Sequence, residues 1–368
     1  MAPGESVVVL GAGNTGFATA ADLTLAGHSV TLGELPAFAE ALDPVRENRV
    51  IELYGVAHSG AARIDMITDD VGAAAAASDD LLLIVPAYGH APWARALAPH
   101  IRPSHILTLM PGTLGALEVA RLLREAGAPE IPIAETDTAP YVCRKTQPDG
   151  ATIWGVVPAM GLGVFPSTAT AQVHDRLARL FPGVTPVPDV LACGLSAMNP
   201  VVHPPGVLLN AGRVERSRGE FYFYDEGVTP GVVRAIMALD AERRAVAAAL
   251  GHDLPDAAEA FHAAGFGPRA EPPDLWATIN GSAMLTALKA PGQLDTRWLS
   301  EDVPYGLRAW SGLGAALGVP TPIIDAVVAL GLTVLQEPLD TNRRTLADLG
   351  IDGLTGDEIR AYVAGGAG

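Results

Sequence analysis

Lysine is almost missing from this chain. Only Lys145 and Lys289 occur among 24 basic residues in 368, so chemistry that runs through a lysine Schiff base has few candidates. Cysteine is as scarce: Cys143 and Cys193 lie far apart, with neither the CxxC spacing of a metal site nor a disulfide framework. They read as small buried apolar residues, and no metal is expected. Positive charge is in deficit, with 24 basic against 41 acidic residues and a net charge of −17. Such a surface repels phosphate backbones and anionic lipid, which disfavours nucleic-acid and membrane partners. Uninterrupted apolar runs stop well short of the roughly 20 residues of a membrane span, and the opening MAPGES is too short and uncharged for a signal peptide. A soluble, cytoplasmic protein is expected.

What is present is an alternation of strand and helix. Ser6 to Leu10, SVVVL, is a β-branched run without polar interruption, as in a parallel sheet covered on both faces. It runs into GAGNTG and then into FATAADLTLAG, whose apolar positions recur at helical spacing and which closes on Gly27. Strand, glycine turn and helix in this order form a dinucleotide-binding unit. Gly11 permits the tight turn, Gly13 lets backbone amides of a turn that includes Asn14 and Thr15 approach a pyrophosphate, and Gly16 lets helix and strand pack closely. HSVTL supplies the second strand and Glu34 follows it, 18 residues after Gly16. An acidic group there accepts hydrogen bonds from an adenosine ribose and repels a 2′-phosphate, so NAD(H) is favoured over NADP(H). Arg46 and Arg49 downstream are the cations that argue the other way.

The pattern continues through ARIDMIT (Ala62 to Thr68) as a strand, then DLLLIVPAY, a buried strand running to Pro86. Pro86 is expected beside the nicotinamide, because ligands of doubly wound sheets sit at the carboxyl ends of strands. HILTLMPG extends the sheet, and IPIAETDTAPYVCRK begins as a strand and becomes polar, with Thr138, Tyr141 and Arg144 expected to face the cofactor or the substrate. The fold predicted is an α/β Rossmann domain with a doubly wound parallel sheet over residues 1–186, followed by an all-helical domain over 187–368.

The helical half opens on SAMNPVVHPPGVLLNAGRVE. Asn199 and His203 are four apart and share a face if the backbone is helical, although Pro200, Pro204 and Pro205 predict a kink or a new start. A histidine near a helix N-terminus needs a carboxylate partner to act as an acid. Asp302, in SEDVPYGL, is the candidate. From the residues alone, a helix cap stays level with a catalytic role for Asp302, and a structural role is favoured for His203.

The sequence resembles the NAD/NADP octopine–nopaline dehydrogenase family, the opine dehydrogenases, over essentially its whole length. The runs that carry the resemblance are GAGNTGFATAADLTLAGHSVTL, VPAYGHAPWARALAP, PGTLGALEVARLL, AETDTAPYVCR, NPVVHPPGVLLNAGRVE, FYFYDEGVTPGV and LSEDVPYGL. The last three belong to the helical domain and are specific to that family. The resemblance implies a second domain like the C-terminal domain of 6-phosphogluconate dehydrogenase. It also implies a reductive condensation, in which an amino acid and a 2-oxo acid form an imine that NAD(P)H reduces to a secondary-amine dicarboxylate. The family's catalytic histidine falls on His203 and its aspartate on Asp302.

A dicarboxylate product calls for guanidinium clamps. Arg144, Arg213 and Arg297 are the candidates, with Asn199 near the reacting group and Trp276 and Tyr305 as an apolar wall. Two other readings are an NAD-dependent 2- or 3-hydroxyacid dehydrogenase and a dinucleotide-binding sensor without turnover. The apolar helical half offers a face for a homodimer.

Overall fold

Val7, Val8, Val9 and Leu10 are no more than 1% exposed, and the reason is their place inside an eight-stranded sheet. The computed structural model describes residues 4–338 and 343–366. Two units divide the chain, Met1–Val190 and Leu191–Gly368. The strands of the first unit are β1 (Ser6–Leu10), β2 (Ser29–Gly33), β3 (Val50–Gly55), β4 (Gly60–Arg63), β5 (Met66–Thr68) and β6 (Asp80–Leu83). They continue with β7 (Ile106–Leu109), β8 (Ile133–Thr136), β9 (Tyr141–Gln147), β10 (Gly150–Val156), β11 (Met160–Phe165) and β12 (Val184–Pro186).

The large sheet runs β12-β11-β8-β7-β6-β1-β2-β5. Its pairings are parallel except β11 with β8, which is antiparallel. The chain leaves β1 toward β2 on one side and reaches β6, β7 and β8 on the other. The carboxyl ends of β1 and β6 therefore flank the point where the winding reverses, the place where such sheets bind ligands. The doubly wound α/β expectation holds, with one antiparallel strand added.

A second sheet, β4-β3-β10-β9, was not foreseen. ARIDMIT, expected to be one strand, is split: β4 ends at Arg63 and pairs β3, while β5 begins at Met66 and pairs β2 of the large sheet. IPIAETDTAPYVCRK likewise divides into β8 and β9, one in each sheet. Period-two patterning reports that a segment is extended and half-buried, not which sheet receives it. The small sheet is tied to the helix Asn14–Leu25 at Asp22. The Asp22 carboxylate accepts the Tyr141 hydroxyl at 2.6 Å and the His58 ring nitrogen Nδ1 at 2.9 Å. Burial, then the Asp22 charge, pushes the Tyr141 hydroxyl up from its ordinary value.

The second unit is helical, and among its described residues only an isolated bridge, Tyr222 with Lys289, pairs extended backbone. The run that carries His203 breaks at Asn210 into the helices Asn199–Leu209 and Ala211–Ser217. The break is stabilised rather than loose, since Asn210 donates to the carbonyls of Gly206 at 2.8 Å and Gly227 at 3.0 Å. Pro204 and Pro205 stay inside the first of these helices, each removing one main-chain donor. At the core a fully buried Arg243 pairs with Asp240 through Nε at 2.8 Å and donates to the carbonyls of Leu195 and Pro255 at 2.7 and 2.8 Å. A buried guanidinium is tolerated only with its donors satisfied in this way. Among the described residues no helix is long and apolar enough to cross a membrane.

Candidate active site

In the first unit the glycine turn has the shape its residues predict. Gly11 sits at φ +105°, and a Cβ there would meet Val85 Cγ1 at 2.5 Å and the Ile84 carbonyl oxygen at 2.6 Å. A Cβ on Gly16 would lie 1.9 Å from the Gly11 oxygen. Both contacts draw the end of β6 and the start of the helix against the turn, and both require glycine. Gly13 is different, because nothing lies within 4 Å of its Cβ position. An open approach to backbone, at the N-terminus of a 12-residue helix, is what a pyrophosphate needs. The residues present therefore fit a dinucleotide. Pro86 follows β6 directly past Ile84 and Val85, at the same edge.

Glu34 is 7% exposed and closes the turn from the other side. Its Oε2 accepts the Ala12 N–H at 2.7 Å and its Oε1 accepts the Leu35 N–H at 2.8 Å. A carboxylate offers about four lone-pair sites, so two remain for a ribose. Arg46 is bound by Asp43, Asp69 and the Ala39 carbonyl, and Arg49 by the Asp65 carbonyl.

β9 adds contacts that the sequence did not announce. The Lys145 N–H donates to Asn14 Oδ1 at 2.9 Å, and the Cys143 thiol lies 3.8 Å from Thr15 Oγ1. Lys145 Nζ stands over the Phe17 ring, 3.9 Å from its centroid. Burial lowers this ammonium, and the Glu34 carboxylate pulls it back up. Tyr141, Cys143 and Lys145 alternate onto the face of β9 that meets the helix. Arg144 lies between them, exposed and on the opposite face. Tyr141 is spent on Asp22 rather than on a ligand.

In the second unit His203 is the centre of a four-residue cluster. It is the fifth residue of the helix Asn199–Leu209 and 9% exposed. Nδ1 lies 2.9 Å from Asp302 Oδ2, and Nε2 lies 3.2 Å from the Tyr224 hydroxyl. Trp298 stacks on the imidazole with centroids 4.3 Å apart and planes 4° from parallel. Phe223 wedges edge-on against Tyr224 and Trp298 and fixes both rings. Burial raises the Asp302 carboxyl, against the hydrogen bond and charge of His203 and the charge of Arg297. Burial also raises the Tyr224 hydroxyl, with the Asp302 charge acting in the same direction, so it stays protonated.

Asp302 and Tyr224 both come from π-helical segments, Asp302–Leu307 and Phe223–Gly227. Such segments are rare overall and are frequent at functional sites. The first of them packs closely at Gly331, where an added Cβ would fall 2.9 Å from Val303.

The other candidates divide. Arg297 begins the short helix Arg297–Ser300 that carries Trp298, and its exposed guanidinium reaches Glu301 at 3.7 Å. Asn199 is exposed one turn before His203. Tyr305 is partly buried under the Arg344 guanidinium. Arg213 is held by Glu226 at 2.5 Å and covers Phe221, and Trp276 is 40% exposed on another helix. Among the described residues, the hydrogen bonds and ring contacts of His203 involve Asp302, Tyr224 and Trp298 rather than Arg213 or Trp276. Sequence reasoning passed over Tyr224 and Trp298. Their aromatic character inside FYFYDEG and DTRWLS was the available signal.

Residues 186–335 match the family described as NAD/NADP octopine/nopaline dehydrogenase, alpha-helical domain. The opine dehydrogenase of Arthrobacter sp. (strain 1C) is 35% identical over 364 residues, covering 99% of this chain and all of that protein. Among solved structures, octopine dehydrogenase with NADH and L-arginine superposes at a TM-score of 0.80 and 20% identity, covering 99% of both chains. Yersinopine dehydrogenase with NADP+ bound superposes at 0.73 and 18% identity, again over 99% of both. At those identities the structural likeness concerns the fold.

Proposed function

The chain belongs to the NAD/NADP octopine/nopaline dehydrogenase family, and on that premise we propose how its residues carry out NAD(P)H-dependent reductive condensation of an amino acid with a 2-oxo acid. The product is a secondary-amine dicarboxylate, and the enzyme is an oxidoreductase acting on a CH–NH bond. The observation that carries the residue assignment is the His203 cluster, an imidazole with a carboxylate on Nδ1 and an aromatic plane against its face.

Gly11, Gly13, Asn14, Thr15, Gly16, Glu34 and Pro86 hold the coenzyme in this reading. When bound, NAD(P)H supplies the hydride. His203 supplies the proton with which the hydroxyl of the condensed amine and oxo acid leaves as water, and Asp302 holds the imidazole in one tautomer and balances its charge. Assistance of that kind is typically worth ~10²–10⁴-fold in rate. Arg297 is the favoured clamp for a substrate carboxylate, because it shares a short helix with Trp298 and acts electrostatically on Asp302. Asn199 and Tyr305 are kept as substrate contacts because they lie on the two elements that hold the dyad, Asn199–Leu209 and Asp302–Leu307. Arg144, Arg213 and Trp276 have less support.

NAD(H) is favoured over NADP(H). The buried Glu34 opposes a 2′-phosphate, and Arg46 and Arg49 are already engaged. A homodimer is also proposed, on the ground that Ile323, Ala326 and Leu330 form an exposed apolar stripe on the helix Pro322–Val334.

The deciding experiment follows loss of NADH absorbance with pyruvate or 2-oxoglutarate, first alone and then with a panel of amino acids. Consumption that needs both partners and vanishes in His203→Ala supports condensation. Consumption with the oxo acid alone would indicate a hydroxyacid dehydrogenase instead.

A further inference from the structure

An imidazole nitrogen offers one in-plane hydrogen-bonding direction. In His203 both are taken, Nδ1 by Asp302 at 2.9 Å and Nε2 by the Tyr224 hydroxyl at 3.2 Å, while Trp298 covers a ring face. No direction is left at Nε2 for a reacting oxygen. A group that exchanges a proton with this nitrogen must either displace Tyr224 or receive the proton through it. Displacement is disfavoured by packing: Tyr224 is 5% exposed, and the Phe223 ring beside it is 0% exposed and pressed against Gly206. A phenol, unlike most side chains, can accept a proton on its oxygen while releasing its own.

Resting on the condensation reading above, we infer that Tyr224 is a catalytic residue, the relay through which His203 protonates the departing oxygen of the carbinolamine. In the forward step the His203 Nε2–H bond breaks as a new O–H bond forms at Tyr224. The original Tyr224 O–H bond breaks as its proton joins the carbinolamine hydroxyl. The C–O bond then breaks, water leaves, and the nitrogen lone pair forms the C=N bond of the iminium. His203 ends neutral and Tyr224 is restored with its proton exchanged. Burial keeps the phenol protonated, so the two transfers are concerted and no tyrosinate accumulates.

The test compares wild type, His203→Ala, Tyr224→Phe and the double variant. Single-turnover reduction is measured on NADH-loaded enzyme with the amino acid and oxo acid pair that serves wild type best, in mixtures of H2O and D2O. Tyr224→Phe keeps the ring and its packing, and NADH affinity and melting temperature report that it is folded. The relay predicts a fall of roughly 10²-fold or more in Tyr224→Phe. It also predicts a double variant no slower than His203→Ala, since both residues serve one path. The rate should bow against deuterium fraction in wild type, where two protons move, and become linear in Tyr224→Phe. A folded Tyr224→Phe enzyme with wild-type rate, or a wild type with a linear plot, overturns the relay and leaves the condensation reading standing. His203→Ala that keeps its rate overturns the relay and the role given to His203, and wild type that reduces no substrate pair overturns the condensation reading with it.

Discussion

At His203 two elements far apart in the chain supply the partners for the two ring nitrogens, and the chemistry of the residue follows from that division. In the proposed mechanism the carboxylate at Nδ1 fixes the tautomer of His203, and Asp302→Asn tests that role. The amide is the same size but carries no charge, and its NH2 can donate to Nδ1 and hold the proton on the wrong nitrogen. A fall in kcat of ~10²–10⁴-fold is expected, with a smaller change in KM, from steady-state assays of the condensation. Asp137, half-buried just past β8, is a second carboxyl raised by its surroundings. Burial, opposed by N–H bonds from Gly161, Thr138 and its own backbone, raises it from 3.8 to about 7. Between those values the folded chain binds a proton that the unfolded chain has released. Stability from this residue is therefore present below pH 3.8 and lost as pH rises through about 7. Asp137→Asn keeps an acceptor for the Gly161 N–H at 2.9 Å without the charge. Thermal melts should show the variant more stable than wild type by a few degrees at pH 8, with the gap closing toward pH 4.

Elements, rather than single residues, decide where the aromatic partners of His203 sit. The helix Asn199–Leu209 carries His203 on one turn and Gly206 on the next, and Gly206 is where Phe223 lands. A Cβ at position 206 would lie 2.5 Å from Phe223 Cζ. Because Phe223 fixes both Tyr224 and Trp298, Gly206→Ala should cost about 1–3 kcal/mol in a denaturation measurement. It should also lower kcat, although residue 206 is assigned no contact with substrate. A loss of stability with unchanged kcat would show that the aromatic wedge is packing alone. The glycine was visible in the sequence as part of HPPGVLL, but its meaning was not, since nothing local says that a ring from residue 223 arrives there.

For the whole molecule, the exposed stripe of Ile323, Ala326 and Leu330 makes the oligomeric state a physical question. A dimer buried on that face predicts twice the chain mass by light scattering, and Leu330→Lys should shift it to the monomer mass. An unchanged mass in that variant would move the interface elsewhere.

Local chemistry made much of this protein readable before any coordinates. A β-branched run, a glycine turn with strict steric needs and an acidic residue after the next strand are consecutive in the chain, so the nucleotide-binding half was legible by pattern. The dyad was legible as two residue types in specific runs, and the partner expected for His203 across 99 positions is the one the fold supplies. What came from tertiary packing is the second sheet, the diversion of Tyr141 to Asp22, the outward face of Arg144, and the closure of His203 by Tyr224 and Trp298. The physical reason is common to all of these. Periodicity and propensity act over a few residues, whereas partner choice between distant segments is set by which surfaces bury together, and π-helical turns aim side chains in directions no repeat in the sequence encodes.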